Sequence, residues 1–263
     1  MRMETYIDSH THLHFEEFDR DREAVMARAR QAGVEQIISL GTDLFSSRQN
    51  LQLTRQFPEV FAAAGIHPSE AHRARPGDVE AVKTLAQSDP RVVAVGEIGL
   101  DFYWDSTYHR EQYDIFREML RIAGEIDKPV VIHNRAAQRE MEWFFQEAGI
   151  ETLDGVMHCF AGEVIDARFY LEMGLHISFT ANITFRNFRA IDVIRCVPLE
   201  RLLLETDSPY IAPAGTSEKR NEPANVIRVA EKIAEIHRLP REEIARITTE
   251  NARRLFRLPD PAL

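Results

Sequence analysis

The chain has 263 residues, 44% apolar and 28% charged, with a formal net charge of −10 and two cysteines, Cys159 and Cys196, in no paired motif. This is a globular composition, whose acidic balance argues against a broad basic face that coats nucleic acid and whose cysteine usage argues against a disulfide framework. The opening "MRMETYIDSH" builds no apolar signal core, and no run approaches the roughly 18 to 20 apolar residues of a membrane span, so the sequence reads as cytoplasmic with no membrane partner.

The first apolar run, "YID" near residue 6, leads into "SHTHLH", which places His10 and His12 two apart. A helix is expected over 19–33, with Asp19 capping its start and Gly33 closing its end. "QIISLGT" from 36 reads as the second strand and 44–57 as the next helix. "VFAAAGIHP" from 60 ends in His67 and is followed by a helix over 76–88. "VVAVGEIG" from 92 carries Glu97. Over 108–127, Phe116, Met119, Leu120, Ala123 and Ile126 repeat at helical spacing. "PVVIHN" from 129 ends in His133, and a helix is expected over 136–149. "GVMHCF" from 155 ends at His158, before a helix over 163–174. "HISFT" from 176 precedes a helix over 185–196, and "RLLLETDSP" from 201 ends in Glu205 and Asp207. Pro223 opens a helix to 237 striped by Val226, Ala230 and Ile233. One more helix, about 241–256, follows Pro240.

Continuous apolar runs suit strands covered on both faces. Eight of them alternating with helices predict an α/β fold, a single-domain TIM (β/α)8 barrel over 1–263 with an extra C-terminal helix. A doubly wound sheet is the rival, but no Gly-rich fingerprint follows the first strand.

In such a barrel the active site lies at the carboxyl ends of the strands, and those ends carry His10, His12, His67, Glu97, His133, His158, Glu205 and Asp207. Residues i and i+2 of a strand share a face, so His10 and His12 can reach one ion. The mixture of imidazoles and carboxylates fits Zn, Mg or Mn. It exceeds what one tetrahedral ion needs, so two divalent ions bridged by a carboxylate are expected, with Glu97 as the bridge. Asp207 would complete the first ion's shell and orient or deprotonate the attacking water. His14, His72, His109, His176 and His237 read as structural, Cys159 as a core thiol, and "GEIGLDFY" taken alone as a turn with Asp101 as a helix cap.

"DSHTHL" at 8–13, "GIHP" at 65–68, "GEIGLDFY" at 96–103, "HNR" at 133–135, "HCFAG" at 158–162, "ETDSPY" at 205–210, "KRNEP" at 219–223 and "TTENARRLF" at 248–256 together resemble the TatD family of metal-dependent hydrolases, in the amidohydrolase superfamily. The resemblance spans nearly the whole chain and implies a metal-dependent phosphodiesterase acting on DNA. It assigns His10, His12, Glu97 and Asp207 to one metal and Glu97, His133 and His158 to the other, with Glu97 in the bridging position. Three stretches depart from the family's pattern: Ala136, where an acid is common; Ser217 and Glu218, where Arg-Gly is common; and "FTANITF" at 179–185, which lacks the usual glycine.

Catalysis is expected to rest on Asp207 and Glu97, with no covalent nucleophile. Arg135, Lys219 and Arg220 are candidates for flanking phosphates, His67 for a phosphate oxygen, Tyr103, with Trp104, for a base, and Glu205 for the substrate side of the mouth. The expected activity is 3′-end exonucleolytic cleavage of DNA ends or single strands, with RNA also admitted and no obligate protein partner. The alternatives are an amide or ester hydrolase of a small molecule or aminoacyl ester, and a non-catalytic scaffold, which would show a degraded ligand set.

Overall fold

The structure is a computed structural model that describes residues 4–104, 107–216 and 219–260. Its strands are β1 Tyr6–Thr11, β2 Val34–Leu40, β3 Val60–Ala64, β4 Val92–Asp101, β5 Val130–Arg135, β6 Gly155–Met157, β7 His176–Phe179 and β8 Leu202–Leu204. They form one eight-stranded parallel sheet in sequence order. The ring closes where Thr11 bridges Ser208. There the Asp207 N–H donates to His10 O at 2.9 Å and the His12 N–H donates to Ser208 O at 2.8 Å. The expected TIM-type barrel is therefore the fold, and β1, β3 and β4 are buried along their whole length, polar residues included.

The surrounding helices are α1 Arg22–Gln31, α2 Leu44–Gln56, α3 Asp78–Ser88, α4 His109–Glu125, α5 Gln138–Glu147, α6 Val164–Glu172, α7 Ile191–Cys196, α8 Val226–His237 and α9 Arg241–Phe256. The α4 stripe buries Phe116, Met119, Leu120 and Ala123, and α8 buries Val226, Ala230 and Ile233. Asp43 caps α2: it accepts from Ser46 N at 2.7 Å, and Ser46 Oγ accepts the Asp43 N–H at 2.9 Å.

Two expected boundaries move. Asp19 does not cap α1: a 3-10 turn over Glu16–Phe18 takes up the chain first, and the Asp19 carboxylate accepts from Arg22 at 2.7 Å instead. Gly33 does close the end, at φ +83. The helix expected from 185 begins at Ile191: after a 3-10 turn over Ala181–Thr184 the chain turns extended at Phe185.

Apolar packing separates into two cores. The larger fills the space between sheet and helices. The smaller joins residues near the strand starts, such as Ile7, Phe61, Val93, Val131 and Leu203, to Leu255 and Phe256 of α9. The last helix thus plugs the end of the barrel opposite the histidines. Full burial of a ring such as Phe256 contributes about 2–3 kcal/mol. No helix among the described residues is long and apolar enough to cross a membrane.

Candidate metal centre

Strand closure brings the predicted imidazoles and acids to one mouth. Glu97 stands at their centre and divides its two oxygens. Oε1 lies 2.8 Å from His133 Nδ1, 2.8 Å from His158 Nε2 and 3.6 Å from His67 Nε2. Oε2 lies 3.4 Å from His10 Nε2 and 3.5 Å from His12 Nε2. Asp207 Oδ1 faces the same pair of imidazoles, 3.6 Å from each Nε2.

Local sequence makes this convergence geometrically possible. Gly99 pairs with His133 across the β4–β5 ladder, at φ +141, and a Cβ there would stand 2.0 Å from His133 O. A Cβ on Gly65 would stand 2.5 Å from Gly96 C. Only glycines let β3, β4 and β5 approach this closely beside Glu97. Asp207 adopts a left-handed backbone, φ +54, which aspartate tolerates better than most residues.

The protonation pattern follows from the surroundings. Burial opposes ionisation of Glu97, yet the His158 imidazole beside it holds its carboxyl well below the usual range. Burial likewise opposes ionisation of Asp207, and His12, His10 and His158 pull its pKa down. His158 is raised well above an ordinary imidazole: burial opposes its charge, but Glu97 and Glu205 outweigh that. His133 is raised despite burial by Asp101 and Glu97. Burial pushes His67 down to about 3, so it is neutral. Its Nδ1 accepts the Ser69 N–H at 3.1 Å, which leaves the proton on Nε2, pointing into the mouth.

These residues suit divalent cations. The His12 Nδ1–H donates to Leu40 O at 3.1 Å, which leaves the Nε2 lone pair directed inward. His10 Nε2 and His12 Nε2 lie 3.3 Å apart, and both face carboxylate oxygens at 3.4–3.6 Å. Ligand atoms about 2.1 Å from a tetrahedral ion are separated by about 3.4 Å, so this spacing matches a cation cradle better than it matches hydrogen bonds. His10–His12–Glu97, His10–His158–Asp207 and His67–Glu97–His133 each place three ligand atoms within 4.8 Å of one another.

Beneath the ligand atoms lie two carboxylates with other roles. Asp101 Oδ2 lies 2.9 Å from His133 Nε2. Taken alone, "GEIGLDFY" suggests a cap at Asp101; the signal for its true place is phase, since Glu97, Gly99 and Asp101 alternate along one face of β4. Glu205, expected on the substrate side, is fully buried. It accepts the Cys159 N–H and the Ser178 hydroxyl, each at 2.6 Å, and stands 3.4 Å from His158 Nδ1, so it backs a histidine and does not face the mouth. Cys159, expected as a core thiol, is a half-buried free thiol whose pKa is pushed up to about 12 by its enclosed surroundings.

The mouth is a cavity of about 760 Å³ lined by His12, Glu97, His133, His158 and Asp207 together with His67, Trp104, Arg135, Phe15, Thr42 and Tyr210. The last three had no signal in the sequence reading. Arg135 is exposed and stacks its guanidinium 4.2 Å over Tyr103 and 5.1 Å from Trp104. Lys219 is exposed but outside the cavity lining. Arg220 is drawn away from its expected phosphate role: both terminal nitrogens donate to Asp21 at 2.7 Å, and the guanidinium lies over Phe18. Ser217 and Glu218 lie outside the described residues. A larger groove, of about 930 Å³, lies at the opposite end among Arg30, Glu59, Phe61 and Arg91, but it gathers no imidazole.

Residues 7–257 match the family described as TatD related DNase. The chain is 39% identical over 252 residues to the uncharacterized metal-dependent hydrolase YabD of Bacillus subtilis, covering 95% of this chain and 98% of that one. It is 34% identical over 247 residues to the 3′-5′ ssDNA/RNA exonuclease TatD of Salmonella typhimurium, covering 91% and 94%. The crystal structure of the TatD homolog YjjV from Escherichia coli K12 superposes with a TM-score of 0.90 at 33% identity, covering 97% and 98%. The carboxylate-centred ring of imidazoles in a barrel mouth and these likenesses agree: the chain belongs to the TatD family of metal-dependent hydrolases.

Proposed function

We propose that the protein is a phosphodiesterase that removes nucleotides from the 3′ end of single-stranded DNA, with RNA also admitted, using two divalent cations. The observation that carries this reading is the division of Glu97: one oxygen serves His10 and His12, the other His133 and His158. A carboxylate placed in this way would serve both ions of a two-ion site. His10, His12, Glu97 and Asp207 would hold one ion, and Glu97, His133 and His158 the other. Zn, Mg and Mn all suit the mixed donor set. Such ions supply Lewis acidity at a phosphate oxygen and ease deprotonation of water.

The chain's own residues do the rest. Asp207, ionised and partly open to the mouth, orients the attacking water and takes its proton. His67 donates its Nε2–H to a phosphate oxygen. Arg135 clamps a flanking phosphate, and Tyr103 and Trp104 offer faces to unpaired bases. A deep mouth admits a strand end in preference to continuous duplex. The Salmonella exonuclease, similar along most of both chains, lends the substrate class support.

The test is a 5′-labelled single-stranded oligonucleotide incubated with the protein and Mg, Mn or Zn, beside a panel of carboxylic esters and amides. A ladder of progressively shortened labelled products is expected. Ester or amide turnover without nucleotide release, from metal-loaded protein, replaces this reading with a carbonyl hydrolase.

A further inference from the structure

Asp101 touches two things at once. Its Oδ2 lies 2.9 Å from His133 Nε2, the ring nitrogen turned away from Glu97. Its Oδ1 accepts the backbone N–H of Tyr103 at 3.0 Å and of Trp104 at 3.3 Å. The residue has little freedom of its own. It is 3% exposed, and Gln112 grips its backbone from both sides, with Oε1 accepting the Asp101 N–H at 2.8 Å and Nε2 donating to its carbonyl at 2.9 Å.

The loop that Asp101 holds carries two outward-facing aromatics, Tyr103 at 58% and Trp104 at 71% exposure. Across the ladder Asp101 pairs with Arg135, whose carbonyl accepts the Phe102 N–H at 2.9 Å. Arg135 stands two residues beyond His133 and stacks on both aromatics. The exposed rings of Tyr103 and Trp104 gain little from burial, so packing holds them weakly. Their placement draws on the two amide bonds to Asp101, the Phe102–Arg135 ladder bond and the Arg135 stack. The carboxylate that makes those bonds also sets the orientation of His133.

We propose that Asp101 is a positioning residue that couples metal binding at His133 to the Tyr103–Trp104–Arg135 platform at the rim. Fixing the His133 ring fixes the Asp101 carboxylate, and that carboxylate fixes the amides of the loop. The platform is therefore presented in its stacking conformation when the metal centre is complete. The proposal rests on His133 being a metal ligand. It does not rest on the identity of the substrate.

The test uses the full chain carrying Trp143→Phe, which leaves Trp104 as its remaining tryptophan. Zn or Mn is titrated while Trp104 emission is followed, with calorimetry of the same titration in parallel. The emission changes with metal, saturates with the calorimetric signal and reverses with chelator. In Asp101→Asn the affinity of the His133 site falls by about 10–100-fold, and the emission change at saturating metal is lost. A silent Trp104 in the Trp143→Phe parent overturns the coupling, and that arm does not depend on any change at Asp101. An undiminished amplitude in a folded Asp101→Asn protein overturns it too. No nucleic acid enters these measurements, so their failure and failure of the nuclease reading are separate results.

Discussion

Glu205 lies directly behind His158, with Oε1 3.4 Å from Nδ1 and both oxygens engaged by hydrogen-bond donors at 2.6 Å. A carboxylate in that place orients the ring and strengthens its outward nitrogen as a donor to metal. Replacing it with Gln keeps the shape and removes the charge. Glu205→Gln is expected to weaken metal binding by about 10–100-fold, read by calorimetry. Glu205→Ala also leaves the Cys159 N–H buried without an acceptor and lowers unfolding free energy by about 2 kcal/mol, read by urea denaturation. Unchanged metal affinity in Glu205→Gln would show that His158 holds its orientation without this partner.

Glu97→Gln separates a bridging carboxylate from an incidental one. The substituted amide has one oxygen to offer in place of two. Bound metal should fall from two ions per chain to at most one, measured by elemental analysis, and kcat should fall on the order of 10³-fold. Exhaustive chelation of the wild-type protein should abolish turnover and lower the melting temperature, since ligands that bind only the folded state stabilise it. Full turnover by a one-metal Glu97→Gln protein contradicts the two-ion reading.

Arg135→Ala tests the rim. The side chain lies in the cavity lining, stacked on aromatic faces. Its loss should raise KM for a single-stranded oligonucleotide by about tenfold, or about 1.4 kcal/mol. It should also reduce the slope of log binding against log salt by about 0.7, one phosphate contact on a single strand. Metal content should stay unchanged. A fall in kcat alone would move Arg135 from substrate binding to the chemistry.

His176 gives a pH prediction well away from the mouth. It is 4% exposed at the start of β7. Burial, helped by Arg201, lowers its pKa from 6.5 to about 4. The folded protein keeps it neutral, while the unfolded chain takes up a proton below about 6.5. Its contribution to stability is thus fully present above 6.5 and is lost as pH falls toward 4. The total is about 3 kcal/mol, of which about 2 should be gone at pH 5. Urea unfolding of wild type and His176→Gln at pH 7.5 and pH 5 should show the wild type losing about 2 kcal/mol more than the variant. Parallel losses would place the pH dependence elsewhere.

The barrel and the ring of imidazoles and acids at its mouth were legible because both depend on short-range pattern. Parallel strands covered on both faces must be apolar, so the eight runs stood out, and one strand end after another broke into His, Glu or Asp. The supporting residues were harder to read because ring closure creates their partners. Asp101 meets His133 from 32 positions away, and Glu205 meets the Cys159 amide from 46. Nothing local distinguishes a carboxylate that backs a histidine from one that meets substrate. Arg220 shows the same difficulty on the surface: its acid, Asp21, lies 199 residues earlier, ahead of α1. Asp19 failed as a cap for a local reason, since a 3-10 turn and Arg22 together claimed it.

The glycines at 65, 96 and 99 leave no room for a side chain: an added Cβ would meet neighbouring strand atoms at 2.0–2.7 Å. The chain has therefore spent its freedom unevenly. Around Glu97 a side chain at any of the three glycines would push strands apart, whereas the aromatics of the rim, such as Trp104 and Tyr210, stand more than half exposed. Directed evolution of this protein toward new substrates should therefore diversify the crown and leave the three glycines alone.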